Sequence, residues 1–379
     1  MMGRRRATWL ARLVVAAALA AATPAMAREA KVEPLFHDSH FHLTNYVQEG
    51  HSIRHHLEIM GDLIPRSTLF GIPLQQMWDY GNAGDFAPTY YLQSDAPLYY
   101  YSFTDAFIAQ QYLSLSPKER ARFDPMITGF NPTDMYGADH IRRVLETFPG
   151  VFSGIGEFSI HKEFVSSKVA GNTASLTNPA LDRILDFAGE VGLVVIFHND
   201  INVPFDKGDV FPEALVQMRD LLARHPGTTI IWAHTGLGRV VAPAQLSGAM
   251  SPTGRPLTHL ELMDRLLSNP QMSHVLLDIS WDEVAKYATS SPEAIERTAA
   301  FLNRHSTRVL FGTDNVAPKS REAHLKVFET WQPVFERLTP EARKNILFAN
   351  YERVFDGARA KVRAWERANV SGKETSRAR

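Results

Sequence analysis

Apolar residues gather along this chain into eight short runs: Glu33–Leu43, Ser67–Leu74, Arg122–Phe130, Val151–Ile160, Leu193–Asn199, Thr228–His234, His274–Trp281 and Arg308–Thr313. Most end in polar or glycine-bearing segments, as βα turns do. Between the runs the period changes. Leu181, Ile184, Leu185 and Ala188 recur at helical spacing in Asn178–Val191. Leu215, Met218, Leu221 and Leu222 do so in Phe211–Arg224, and Leu257, Leu260, Met263 and Leu266 in Pro256–Leu267. Ser291–Arg304 opens on Ser-Pro-Glu, and Thr339-Pro340-Glu341 opens a last helix running to about Phe355. Leu193–Phe197 and Ile230–Ala233 are apolar throughout, as strands buried on both faces are. Eight β/α units predict an α/β chain closed into a (β/α)8 TIM barrel, a single domain over 28–379. The alternative, an open doubly wound sheet, calls for a G-x-G-x-x-G turn after an early strand, and the sequence has none.

Two segments depart from this alternation. Residues 1–27 carry Arg4, Arg5 and Arg6, then an apolar stretch Leu13–Ala22 too short to span a bilayer, then Pro24-Ala25-Met26-Ala27. That is the pattern of a signal peptide, and it predicts a periplasmic or secreted protein with no stable membrane insertion after cleavage. A retained anchor is the alternative. Residues 77–103, between runs two and three, hold Trp78, Tyr80, Phe86, Tyr90, Tyr91, Tyr99, Tyr100, Tyr101 and Phe103. Such an insertion either walls the barrel mouth or packs on itself or on a second copy, which would make a homodimer. The tail 373–379 is polar.

Composition narrows the chemistry. The 379 residues carry a formal charge of −1, and four arginines of that balance lie in the leader. The remainder is acidic, so neither nucleic acid nor an anionic membrane is expected as a partner. A small-molecule substrate is. There is no cysteine, so disulfides are impossible and any metal must be held by nitrogen and oxygen.

The polar residues fall at run ends, where such barrels place their chemistry. Run one ends in Asp38-Ser39-His40-Phe41-His42, whose two histidines share one side of a strand and can aim at one ion. His37, of opposite parity, should face away. Run four carries Gly154-Ile155-Gly156-Glu157, run five ends in His198-Asn199-Asp200, run six in His234-Thr235-Gly236 and run eight in Gly312-Thr313-Asp314-Asn315. Each has a plainer reading. His198 and His234 could be core histidines, Asp314 a helix cap, and Glu157 a structural acid paired with Lys162 or Arg142. Five strand ends converging is what favours a divalent metal site. His161 and Arg239 are weaker candidates for substrate binding. His51, His55 and His56 are expected on a polar helix, and His140, His225, His259, His305 and His324 in solvated surroundings. His274 begins its run, at the wrong end for chemistry.

Together these motifs resemble the amidohydrolase superfamily, and more closely its amidohydrolase-2 branch, which includes aminocarboxymuconate-semialdehyde decarboxylase-like enzymes and certain lactonases. The likeness spans about residues 33 to 356 and includes Ile346–Phe355, similar to the branch's final helix. The resemblance implies His40, His42, His198 and Asp314 as metal ligands, with Asp314 also handling the proton of bound water. It implies His234 as a catalytic histidine or a ligand of a second ion, and Glu157 as a bridge between two ions. The expected cofactor is Zn2+, with Mn2+ as alternative, in one or two copies.

The reading is a metal-dependent hydrolase of a C–O or C–N bond in a small carbonyl substrate. Asp314 would act as proton acceptor, and His234 would polarise the carbonyl or stabilise the oxyanion. Decarboxylation on the same site, or a barrel that binds without turnover, are the alternatives.

Overall fold

All eight apolar runs form strands. The computed structural model describes residues 32–45, 50–72, 102–162, 174–201, 213–238 and 257–370. The leader 1–27, insertion residues 77–101, Arg239 and the tail 373–379 lie outside the described residues. One compact unit, Glu33–Arg379, carries every element below; of the other, Met1–Val32, only Val32 is described.

The strands are β1 (Phe41–His42), β2 (Ser67–Leu69), β3 (Phe123–Ile127), β4 (Gly154–Ser159), β5 (Val194–His198), β6 (Ile230–Trp232), β7 (Val275–Asp278), β8 (Val309–Leu310) and β9 (Asn315–Val316). From β2 to β8 they pair in sequence order, always parallel. β1 completes the ring. On one side it pairs with β9, which continues the path of β8. On the other, bridges Asp38↔Ser67 and His42↔Phe70 tie its run to β2. The fold is a TIM barrel.

Helices fill the spaces between strands with their expected entry signals. Asn178, Ser291 and Thr339 cap their helices with side-chain oxygens, each just before a proline. Thr258 and Glu261 form a capping box. The last helical segment runs further than expected. After Pro340–Lys344 and one π turn at Asn345–Ala349, the helix Asn350–Asn369 continues well past Phe355. The reason is that Ala358, Val362 and Trp365 keep its apolar stripe going.

Two hydrophobic layers result, and the strands separate them by parity. Odd-numbered Phe41, Leu69, Phe123, Ile127, Val195, Phe197, Leu277, Val309 and Phe311, with Ile230 and Trp232 of run six, pack outward under the helices. Even-numbered Phe70, Met126, Val194, Ile196, Leu276 and Leu310, with Ile231 and Ala233 of run six, fill the barrel and are plugged by Tyr351, Val354, Phe355 and Ala358 of the last helix.

The plug is pinned by charge. Buried Asp124 of β3 accepts from Arg66 at 2.8 Å, from Arg359 at 2.6 Å and from the Tyr351 hydroxyl at 2.8 Å. Asp124→Ala would leave two arginines without their buried partner. It is expected to destabilise the protein by about 3–5 kcal/mol in denaturant unfolding.

Several histidines differ from expectation. His56 stacks on Phe41 with ring centroids 3.6 Å apart and is fully buried; His324 is buried beside it, and His225 and His305 are buried against Asp182 and Asp264. Each sits on an otherwise polar-looking helix or loop, and only the tertiary packing covers it.

Candidate metal centre

The parity that fills the barrel also delivers the site. His40, His42, His198, Asp278 and Ser280 are all even-numbered and point inward at their strand ends, whereas Asp314, between β8 and β9, turns in from a left-handed position (φ 53). Two further members need help from the backbone. Glu157 has the wrong parity for β4, but the pairing of β4 with β5 shifts register between Ile155 and Phe158. That irregularity turns the carboxylate inward. Gly156 sits there with φ +110, and a Cβ on it would lie 1.8 Å from the Ile196 carbonyl oxygen, so only glycine fits. His234 also has the wrong parity, and a left-handed turn at His234 (φ 56) and Thr235 (φ 57) swings it in. His259 donates to the Thr235 carbonyl at 2.7 Å and holds that turn.

The ligand atoms of His40, His42, Glu157 and Asp314 lie within 4.8 Å of one another. Nε2 of His40 is 3.2 Å from Asp314 Oδ1 and 3.6 Å from Glu157 Oε2. Nε2 of His42 is 3.1 Å and 3.5 Å from the same two atoms. The other oxygen of Glu157 faces the opposite way. Oε1 is 3.2 Å from His198 Nδ1 and 3.2 Å from His234 Nε2, and these form a second group of the same compactness. Glu157 thus stands between two sets of donors. His198, expected beside His40, His42 and Asp314, joins this second set.

The outer atoms of three of the four imidazoles are tied down. His40 Nδ1 meets Asp278 at 2.8 Å, His198 Nε2 meets Asp200 at 2.7 Å and His234 Nδ1 meets Ser280 Oγ at 2.8 Å. Metal-binding histidines are held in this way. Asp278 and Ser280 went unnoticed in the sequence. The signal was present, as an even-numbered acid and hydroxyl at the end of the apolar run Val275–Trp281. Lys162 approaches Glu157 Oε1 at 3.7 Å, whereas Arg142 lies over the Phe187 and Trp365 rings. The His161 carbonyl accepts from the Asp200 N–H. His37 pairs with Glu352 and packs on Phe348 and Tyr351, away from the site.

Charge is unevenly matched here. Burial opposes ionisation of Glu157, yet Lys162 and the histidines around it hold its pKa well below the usual value. Asp314, buried as well, is held well below by His234, His40 and His42. Burial resists a charge on His40, but Asp278 and Asp314 raise its pKa well above that of a free histidine. His198 is raised too: burial and Lys162 oppose this, and Asp200 and Glu157 prevail. His234 goes the other way, because burial outweighs its carboxylate neighbours. Four acids therefore surround one lysine and a set of imidazoles. A divalent cation suits this deficit, and one atom asks for it directly. His40 Nε2 is buried with no hydrogen-bond partner. The donor set of imidazole and carboxylate fits Zn2+ or Mn2+.

The comparisons agree with the fold. Among solved structures, 2,6-dihydroxybenzoate decarboxylase, in complex with 2,6-dihydroxybenzoate, superposes with a TM-score of 0.51 at 14% identity, covering 86% of this chain and 99% of its own. An amidohydrolase from Burkholderia multivorans, crystallised with bound zinc, gives 0.50 at 13% identity, covering 85% and 99%. A protein named amidohydrolase II gives 0.51 at 12% identity, covering 85% and 99%. No curated protein sequence matches the chain. A family model described as amidohydrolase matches residues 37–357. With that match spanning every strand and every site residue named above, the chain belongs to the amidohydrolase family, in its amidohydrolase-2 branch.

Proposed function

We propose that the protein is an exported metal-dependent hydrolase cleaving a C–O or C–N bond of a small carbonyl substrate. The observation that carries this is the buried convergence of His40, His42, Glu157 and Asp314 from three strand ends. These four would hold the cation. Glu157 Oε1, His198 and His234 offer a second position, which makes Glu157 a bridge. A bound zinc in the structurally similar Burkholderia protein supports zinc as the ion. When bound, such an ion lowers the pKa of its water towards about 7 and polarises a carbonyl.

The chain's own groups do the rest. The Asp314 side chain retains 9% exposure and faces both His40 and His42, so it can accept the proton of an attacking water and return it to the leaving group. His234 Nε2, 3.7 Å from Asp314 Oδ2, is the second group able to exchange a proton there. The Trp281 ring walls one side, with centroids 5.2 Å from His234 and 6.1 Å from His198. Among the described residues no helix is long and apolar enough to cross a membrane. The leader remains the basis for proposing export.

The proposal is tested on mature protein loaded with zinc or manganese and assayed against ester, lactone and amide panels. Hydrolysis lost to a chelator and restored by the metal is the expected result. Carbon dioxide released from an unsaturated or aromatic acid, with no hydrolysis, would assign the site to decarboxylation instead. Zinc titration should show one tight equivalent and a weaker second, and Glu157→Gln should weaken the first and remove the second.

A further inference from the structure

Asp278 is fully buried and lies behind His40 and His234, on the far side from the reacting space. We propose that Asp278, acting with Ser280, is a positioning residue that fixes the protons of His40 and His234 on Nδ1, so that both Nε2 atoms enter the centre as lone pairs. The metal-binding half of this rests on the reading given under the proposed function; the proton placement does not.

The assignment follows from counting donors. An ionised carboxylate only accepts. Asp278 Oδ2 is 2.8 Å from His40 Nδ1, so that nitrogen donates. Asp278 Oδ1 accepts the His234 backbone N–H at 2.8 Å, the Ser280 backbone N–H at 3.3 Å and the Ser280 hydroxyl. Serine has one hydroxyl proton, and Asp278 has taken it. Towards His234 Nδ1, 2.8 Å away, Ser280 Oγ can therefore only accept. His234 Nδ1 donates, and a neutral imidazole has no second proton for Nε2. The weaker approach of Ser280 Oγ to His40 Nδ1, 3.3 Å, has the same sense.

The consequence reaches the chemistry. His40 Nε2 faces Asp314 and Glu157, and His234 Nε2 faces Glu157 and Asp314, so each is placed to present a lone pair to a cation among these carboxylates. Such a set repels itself until positive charge lies between its members. Resting His234 is then a proton acceptor or a ligand, and becomes a donor to a developing oxyanion only after it has taken a proton. One carboxylate sets the state of both groups and anchors the left-handed turn that brings His234 in.

The test uses full-length zinc-loaded protein, Asp278→Asn and Ser280→Ala. Zinc affinity is read by competition with a chromophoric chelator, ligand geometry by the visible spectrum of the cobalt form, and proton position by nitrogen-15 histidine NMR. The wild type is expected to show Nδ1–H signals for His40 and His234. Asp278→Asn should weaken zinc binding by about 10–100-fold and change the cobalt spectrum. Ser280→Ala should keep the tight zinc and move the His234 Nδ1 signal far more than that of His40. It removes a single hydroxyl, so it carries the test if Asp278→Asn does not fold. Wild-type zinc affinity and an unchanged cobalt spectrum in Asp278→Asn would overturn the proposal. So would an Nε2–H signal on either histidine in the zinc-loaded wild type. If the wild type binds no zinc, Nδ1–H signals in the metal-free protein still uphold the positioning role while the metal reading falls.

Discussion

Asp314→Ala is expected to reduce turnover by about 10²–10⁴-fold, the usual worth of a positioned acid–base group. Asp314 lies against Nε2 of both His40 and His42 and keeps an opening to the reacting space. Its pKa is held well below the ordinary carboxylate value by His234, His40 and His42 in spite of burial, so it is ready to accept a proton at neutral pH. Asp314→Asn keeps the shape and removes the basicity, and it should lose nearly as much as the alanine variant. The measurement is kcat on the best substrate from the hydrolysis panel, with zinc content determined on the same samples. A loss of turnover in Asp314→Asn at retained zinc separates proton handling from metal holding.

His40→Ala is expected to have two effects of similar weight. It removes an imidazole nitrogen that faces Asp314 and Glu157 and is buried without a hydrogen-bond partner, and with it tight zinc binding. It also strips Asp278 of the ring it meets at 2.8 Å. An uncompensated buried carboxylate destabilises by about 3–5 kcal/mol, so the metal-free variant should already unfold at lower denaturant than the metal-free wild type. His42→Ala provides the comparison, because His42 touches Asp314 and Glu157 but not Asp278. It should lose zinc affinity with a smaller change in metal-free stability.

Much of this arrangement was legible in the residues. Apolar runs locate strands well in a parallel barrel because both strand faces are buried, and helix caps announced themselves at Asn178, Ser291 and Thr339. His40, His42 and His198 could be read from simple alternation, and Asp314 from its place at the end of the eighth run. Glu157 and His234 sit where alternation fails. A register shift and a left-handed turn bring them in, and only assembled strands reveal such irregularities. Asp278 and Ser280 were masked by the apolar run that contains them. His56 and His324 look solvated on their helices, and their burial depends on contacts with Phe41, more than ten residues away in either case. The length of the last helix was missed because its stripe continues among many charged residues.

The pH dependence of folding offers an independent check on the buried histidines. Burial lowers the pKa of His51 and His259 to about 4 and that of His56 well below its usual value. The unfolded chain then binds more protons than the native one below about pH 6.5. Stability should fall as pH drops from about 6.5 towards 4, and urea midpoints across that range would show it.

The central claim is that His40, His42, Glu157 and Asp314, gathered from three strand ends, hold a divalent cation. It is tested most directly by elemental analysis of purified protein after dialysis against zinc, with His40→Ala and His42→Ala alongside. The account predicts at least one equivalent of zinc in the wild type and its loss in both variants. Wild-type protein without stoichiometric metal, or variants that keep the full amount, would contradict it.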